Sequence, residues 1–313
     1  MAALFAIVVV ASASSLAWAQ EQPSFSLIGA NVQKRANGVL ALMGYSVVPD
    51  LTSSSLSIKN SETNNPQVVM IQVAGGFTIS QSFPLYLEGG IAVSRYDPAF
   101  VASNGTESRS IPLKWNSLSG TAGVGWDFPI TRDLKFRPIV NFALGYVASD
   151  LSVAKVVLEN VTGKELDFLE NGHLSAYGYG GSVMLDYERY RPDSEIDIEL
   201  RYTQIRLKSF GGSADAVQGT AVAQTPSLWA RYRAPTGLTL LHRPLRYVLE
   251  FAHTRYYGDQ AGILGFDYLS SVGLGFELDS SYYDIIVTRT RLVGRYAFGN
   301  NVSGASISLA VSF

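Results

Sequence analysis

Ser303-Gly304-Ala305-Ser306-Ile307-Ser308-Leu309-Ala310-Val311-Ser312-Phe313 is the stretch on which the reading of this chain turns. Ala305, Ile307, Leu309, Val311 and Phe313 fall on one face, and Ser306, Ser308, Ala310 and Ser312 on the other. A period of two is the mark of a strand with one apolar and one polar side. An ordinary sheet strand would satisfy the same pattern, so the reading depends on whether the rest of the chain repeats it.

It does, in a suitable composition. The 313 residues carry no cysteine, which removes disulfide frameworks, thiolate metal sites and cysteine nucleophiles. A net charge of −2 gives no basic surface for nucleic acid. Charged residues make up only 16%, beside 29 glycines and 17 tyrosines, a balance suited to a wall with lipid on one side and a crowded interior on the other. Residues 1–19 read as a signal peptide, with an apolar core from Leu4 to Val10 and Ala17-Trp18-Ala19 as the cleavage site, although Met1 to Phe5 lacks Lys and Arg. Export with no later helical span points to the cell outer membrane.

Strand-like alternation then recurs along the chain. Gln20 to Asn37 is short and polar, and residues 20–38 form a segment that could plug a lumen. The barrel is assigned to residues 39–313, beginning with a strand over Val39 to Val48 and a loop over Thr52 to Asn65. Further strands are expected over 68–79, 85–96, 117–128, 134–147, 175–187, 195–203, 228–233, 246–257, 268–278, 285–298 and 303–313. The clearest sets Ile196, Ile198, Leu200 and Tyr202 against Glu195, Asp197, Glu199, Arg201 and Thr203. Asp97 to Ile111, Ala148 to Gly172 and Ser209 to Thr225 read as loops, with short links between the others. The expected fold is therefore all-β: a transmembrane antiparallel barrel of about twelve strands, with short periplasmic turns, longer outer loops and both termini periplasmic. Tyr, Phe and Trp near strand ends suit the headgroup regions.

On these residues the chain resembles a Gram-negative outer-membrane β-barrel. The final strand, with Ile307, Leu309, Val311 and Phe313 on its apolar face, is similar to the terminal assembly signal of such barrels. Tyr296 to Gly304 running into Ser306 to Phe313 looks like the end of an autotransporter translocator domain without a passenger, since only about eighteen residues lie between the cleavage site and the first expected strand. The resemblance implies twelve strands, a plugged pore, outer-membrane lipid and lipopolysaccharide as surroundings, and the barrel assembly machinery as a partner. The expected role is non-enzymatic, that of a structural barrel or small-solute channel with no cofactor.

Inward charges are the first candidate site. Lys135, Arg137, Arg201, Arg231, Arg233, Arg289, Arg291 and Arg295 face Glu88, Asp186, Glu195, Asp197, Glu199, Glu250 and Glu277. Such charges could select small solutes in a porin-like channel, or close on one another as ion pairs that fill a narrow barrel. A second candidate is His173-Leu174-Ser175, where residues two apart share a face and an imidazole could activate a hydroxyl, as in outer-membrane acyl hydrolases. A third is adhesion through the 148–172 loop. His242 and His253 stand alone, with no metal-ligand spacing around them.

Overall fold

The computed structural model describes residues 26–27, 40, 43–45, 55–60, 67–96, 99–103, 108–112, 115–149, 173–210, 219–262, 266–279, 288–300 and 302–312. In chain order its strands are β1 (Ser26–Leu27), β2 (Ser55–Asn60), β3 (Gln67–Thr78), β4 (Leu85–Tyr96), β5 (Ala99–Ser103), β6 (Ser108–Pro112), β7 (Trp115–Trp126), β8 (Phe128–Pro129) and β9 (Leu134–Ser149). They continue as β10 (His173–Tyr190), β11 (Glu195–Phe210), β12 (Thr220–Leu240), β13 (Arg243–Arg255), β14 (Tyr257–Gly258), β15 (Tyr268–Asp279), β16 (Arg289–Gly299) and β17 (Val302–Ser312).

Sequential antiparallel pairing runs from β2 through β3, β4, β7, β9, β10, β11, β12, β13, β15 and β16 to β17. β17 returns to β2 through Val302↔Asn60 to Ala305↔Ser57, so twelve strands close a ring. Closure removes the free edges that an open sheet exposes. β8 and β14 extend the ladders of β9 and β12. The ladder between β7 and β9 breaks between Gly125↔Ile139 and Phe128↔Phe136, where Pro138 offers no N–H and Asp127 turns inward opposite Arg137.

Alternation divides the wall strands whose side chains are described between outside and inside. Ile71, Val73, Ile91, Val93, Leu118, Val124, Phe142, Leu144, Leu200, Leu274, Leu292, Ile307 and Leu309 are all exposed. Leu309 is 71% exposed, while Arg201 and Glu88 on the inner face are almost fully buried. That inverts a soluble protein and is stable only where lipid surrounds the outer face. Aromatic contacts bracket the apolar band. Tyr177–Tyr179 and Tyr296–Phe298 stack towards the long-loop end, and Phe83–Trp126 and Tyr232–Tyr247 pack towards the short-turn end.

Several expected boundaries are corrected. Leu40, Met43 and Gly44, the centre of the strand expected over Val39 to Val48, are helical and lie inside the barrel instead of in its wall. The first wall strand is β2, inside the stretch expected to be a loop, because Leu56 and Ile58 alternate with Ser55, Ser57 and Lys59 within its Ser/Thr-rich sequence. The expected loop after β4 contains the hairpin of β5 and β6, and β1 pairs with it through Ser26↔Ser103 and Leu27↔Ala102. That pairing sets Ser26 and Leu27 at the long-loop end. The link expected at Pro235-Thr236-Gly237 is a bulge within β12, with Gly237 at φ +76°. The turn itself is Leu241-His242, both at positive φ.

Candidate functional site

The inner faces of the wall build two layers. Towards the short-turn end the lumen is filled by ion pairs. Arg201 on β11 reaches four strands round the ring to Glu88 on β4, with Nη1–Oε2 and Nη2–Oε1 distances of 2.8 and 2.7 Å. Asn141 Nδ2 donates to Glu88 Oε1 at 2.6 Å, and Ser182 Oγ donates to Asn141 Oδ1 at 2.6 Å. Arg201 also donates to Ser182 and Thr203, so one guanidinium ties together side chains from three strands. The fork of an arginine suits this role because its five donors lie in one plane matching a carboxylate.

A second knot surrounds Arg137. Its guanidinium pairs with Asp127 and, at 2.9 Å, with Asp186, and lies 3.8 Å from the centroid of the Tyr86 ring. Thr78 Oγ1 donates to Asp127 at 2.7 Å, and Lys135 pairs with Glu188 at 2.6 Å. A third knot crosses the opposite side. Glu195 pairs with Arg233, Arg246 and Arg289, the last again four strands away. Asp197 pairs with Arg231 and Arg233, Glu277 with Arg233 and Arg289, and Glu250 with Arg295 at 2.6 Å.

Thus the sequence-predicted Lys135, Arg137, Arg201, Arg231, Arg233, Arg289, Arg291 and Arg295 all point inward, as do Glu88, Glu195, Asp197, Glu199 and Glu250. Their arrangement favours pairing over selection. Glu88, Arg137, Asp186, Glu195, Asp197, Arg201, Arg233, Glu250, Glu277, Arg291 and Arg295 are each no more than 8% exposed. Each charge is balanced by a near neighbour, so no single sign dominates the interior.

Towards the long-loop end the lumen is apolar. Leu40 and Met43 pack against Ala143, Val147, Ala176, Ile205, Leu207 and Ala221. Tyr45 packs with Met70, Tyr256, Phe266, Leu269, Ala297 and Val302. Tyr45 Oη donates to the Gln260 carbonyl at 2.6 Å, and Gln260 Nε2 donates to Thr225 Oγ1 at 2.7 Å. Gly145 makes room for Met43, since a Cβ there would fall on the Met43 methyl group. Among the described residues the lumen filler is Leu40 and Met43 to Tyr45, and all of the expected plug at 20–38 except Ser26 and Leu27 lies outside the described residues. An apolar filler was missed because its pattern of apolar residues passed for a strand.

The architecture is that of an outer-membrane β-barrel. Closed pairing, the exposed apolar band and the charged interior decide this together. No family model matches the sequence, and no curated protein is similar to it. Among solved structures, the β domain of the Bordetella autotransporter BrkA is similar at 10% identity and a TM-score of 0.46, covering 83% of this chain and 96% of that one. The transport unit of autotransporter AIDA-I from Escherichia coli is similar at 11% identity and TM-score 0.44, covering 89% and 99%. LpxR from Salmonella typhimurium is similar at 11% identity and TM-score 0.38, covering 91% and 96%. The likeness lies in the barrel architecture.

The other sequence candidates lie elsewhere. His173 and Ser175 begin β10, and Ser175 pairs with Tyr146 on one side and Phe210 on the other, so neither directly opposing position carries an acid. The central part of the proposed adhesive loop, 150–172, lies outside the described residues. In the final strand, Ile307 and Leu309 face outward as expected, while the side chains of Val311 and Phe313 lie outside the described set. One pairing that sequence spacing does not reveal is His253 on β13 with Ser270 on β15, which share a hydrogen bond of 2.8 Å between Nδ1 and Oγ. Only the register brings them together. Among the described residues no cluster of metal-ligating side chains occurs.

Proposed function

We propose that the chain is an autotransporter-like barrel with a structural role, sealed by its own side chains and holding a short segment of itself in the lumen. The observation that carries this reading is the span of Arg201 to Glu88 and of Arg289 to Glu195, each crossing four strands of the ring with its acid buried. Side chains locked across the lumen occupy the space a solute would need, and the apolar layer around Leu40 and Met43 adds a second seal. A small-solute channel is the reading this disfavours. Assembly through the barrel machinery fits the final strand, whose Ile307 and Leu309 present the apolar face such a signal requires.

Single-channel recording of the refolded protein in a planar bilayer tests the proposal. The expected record is flat for the parent protein, with conductance steps when Arg289, Arg291 and Arg295 are replaced together by Gln. Steady ion-selective conductance in the parent would overturn the sealed reading and restore the channel.

A further inference from the structure

The outer wall carries a nucleophile and a base in contact. On β13 the outward positions are Tyr247, Leu249, Phe251, His253 and Arg255, alternating with inward Val248, Glu250, Ala252 and Thr254. On β15 Ser270 shares the outward side with Val272, Leu274 and Phe276. The register sets His253 directly opposite Ser270. The imidazole also lies against the Tyr268 ring at 5.8 Å between centroids, and Leu228 of β12 sits opposite it on the other side. Ser270 is 6% exposed, with His253 opposite it on one side and Phe298 of β16 on the other, so an ester and water reach its hydroxyl only when a neighbouring side chain swings aside. The pair lies near the long-loop end of the apolar band, two residues before the end of β13. Arg255 follows on the same face at that rim, its guanidinium 5.3 Å from the Tyr257 ring.

We propose that His253 and Ser270 form a lipid-facing catalytic dyad that cleaves acyl esters of anionic membrane lipids, with Arg255 binding the headgroup phosphate. A serine hydroxyl is a weak nucleophile until a neighbouring base takes its proton, and a 2.8 Å contact to an imidazole nitrogen meets that requirement. With the imidazole in the tautomer that leaves Nδ1 bare, Ser270 Oγ bonds to the ester carbonyl carbon as its proton passes to Nδ1. The ester C–O bond then breaks, and the imidazolium returns that proton to the departing alcohol. Water, deprotonated by the same nitrogen, attacks the acyl-serine, releasing the fatty acid and restoring the Ser270 hydroxyl. The position on the wall supplies the substrate: acyl chains lie along the apolar band while a cation at the rim meets the phosphate. This site is separate from the lumen, on the opposite side of the wall, and does not depend on whether the lumen is sealed.

The test is hydrolysis of phosphatidylglycerol in mixed micelles by the refolded protein, with a fluorophosphonate used to label reactive serines. The heat-dependent shift of a folded barrel on gel electrophoresis checks each variant. The parent is expected to release fatty acid and carry the label on Ser270. Ser270→Ala should remove both, and His253→Asn should slow turnover by at least about a hundredfold. Arg255→Gln should raise KM for phosphatidylglycerol. A folded parent that neither hydrolyses nor labels overturns the proposal. So does activity that survives Ser270→Ala, or activity that depends on Ser175 instead.

Discussion

Replacing Arg201 by methionine isolates the charged layer. The guanidinium donates to Glu88 at 2.7 and 2.8 Å, to Ser182 at 2.9 Å and to Thr203 at 3.0 Å, and both ends of the pair are buried. Methionine keeps the unbranched apolar stem but ends short of the guanidinium nitrogens, leaving the Glu88 carboxylate with Asn141 as its remaining amide donor. Stranding one member of a buried pair costs about 3–5 kcal/mol, whereas replacing both by apolar groups is often close to neutral. Arg201→Met is therefore expected to lower stability by about 3 kcal/mol or more, and Arg201→Met with Glu88→Leu to recover most of it. Urea unfolding in detergent micelles, followed by tryptophan fluorescence and the gel shift, measures both. A loss below about 1 kcal/mol for the single variant would mean that water reaches Glu88 and the lumen is not sealed at this level. A double variant no better than the single would show that the hydrogen bonds to Ser182 and Thr203, rather than the ion pair, hold this part of the wall.

Two further substitutions test the apolar layer and the short-turn end. Gly145→Val should destabilise the barrel by about 1–3 kcal/mol through overpacking against Met43, and Met43→Ala in the same chain should restore much of the loss, read as thermal midpoints. Equal losses with and without Met43 would place the clash in the wall instead. Leu241 and His242 form the two-residue turn between β12 and β13 with φ of 52° and 60°, where L side chains are strained and Asn-Gly is favoured. Leu241→Asn with His242→Gly is expected to stabilise by about 1–2 kcal/mol, and no gain in urea unfolding would refute the strain.

Much of this protein follows from the period of its side chains. In Ile196 to Tyr202 the apolar and charged residues alternate, and a period of two leaves each side chain only one of two faces. The outside and inside of that strand are therefore determined by the sequence itself, as are the inward aim of Arg201 and Glu199 and eleven of the twelve wall strands, the remaining one, β2, having lain in an expected loop. The same rule failed at Leu40 to Tyr45, where apolar residues serve a helical filler and composition alone cannot tell a filler from a wall. What only the tertiary structure decided is which inward charges meet. Arg201 and Glu88 are 113 residues apart, and Arg289 and Glu195 are 94 apart; each pair lies on non-adjacent strands joined by the closure of the ring. Alternation fixes the face of a residue, while its partner depends on register, stagger and barrel diameter, which belong to the closed ring as a whole. For that reason His253 looked solitary in the sequence, and Ser270 stands beside it in the wall.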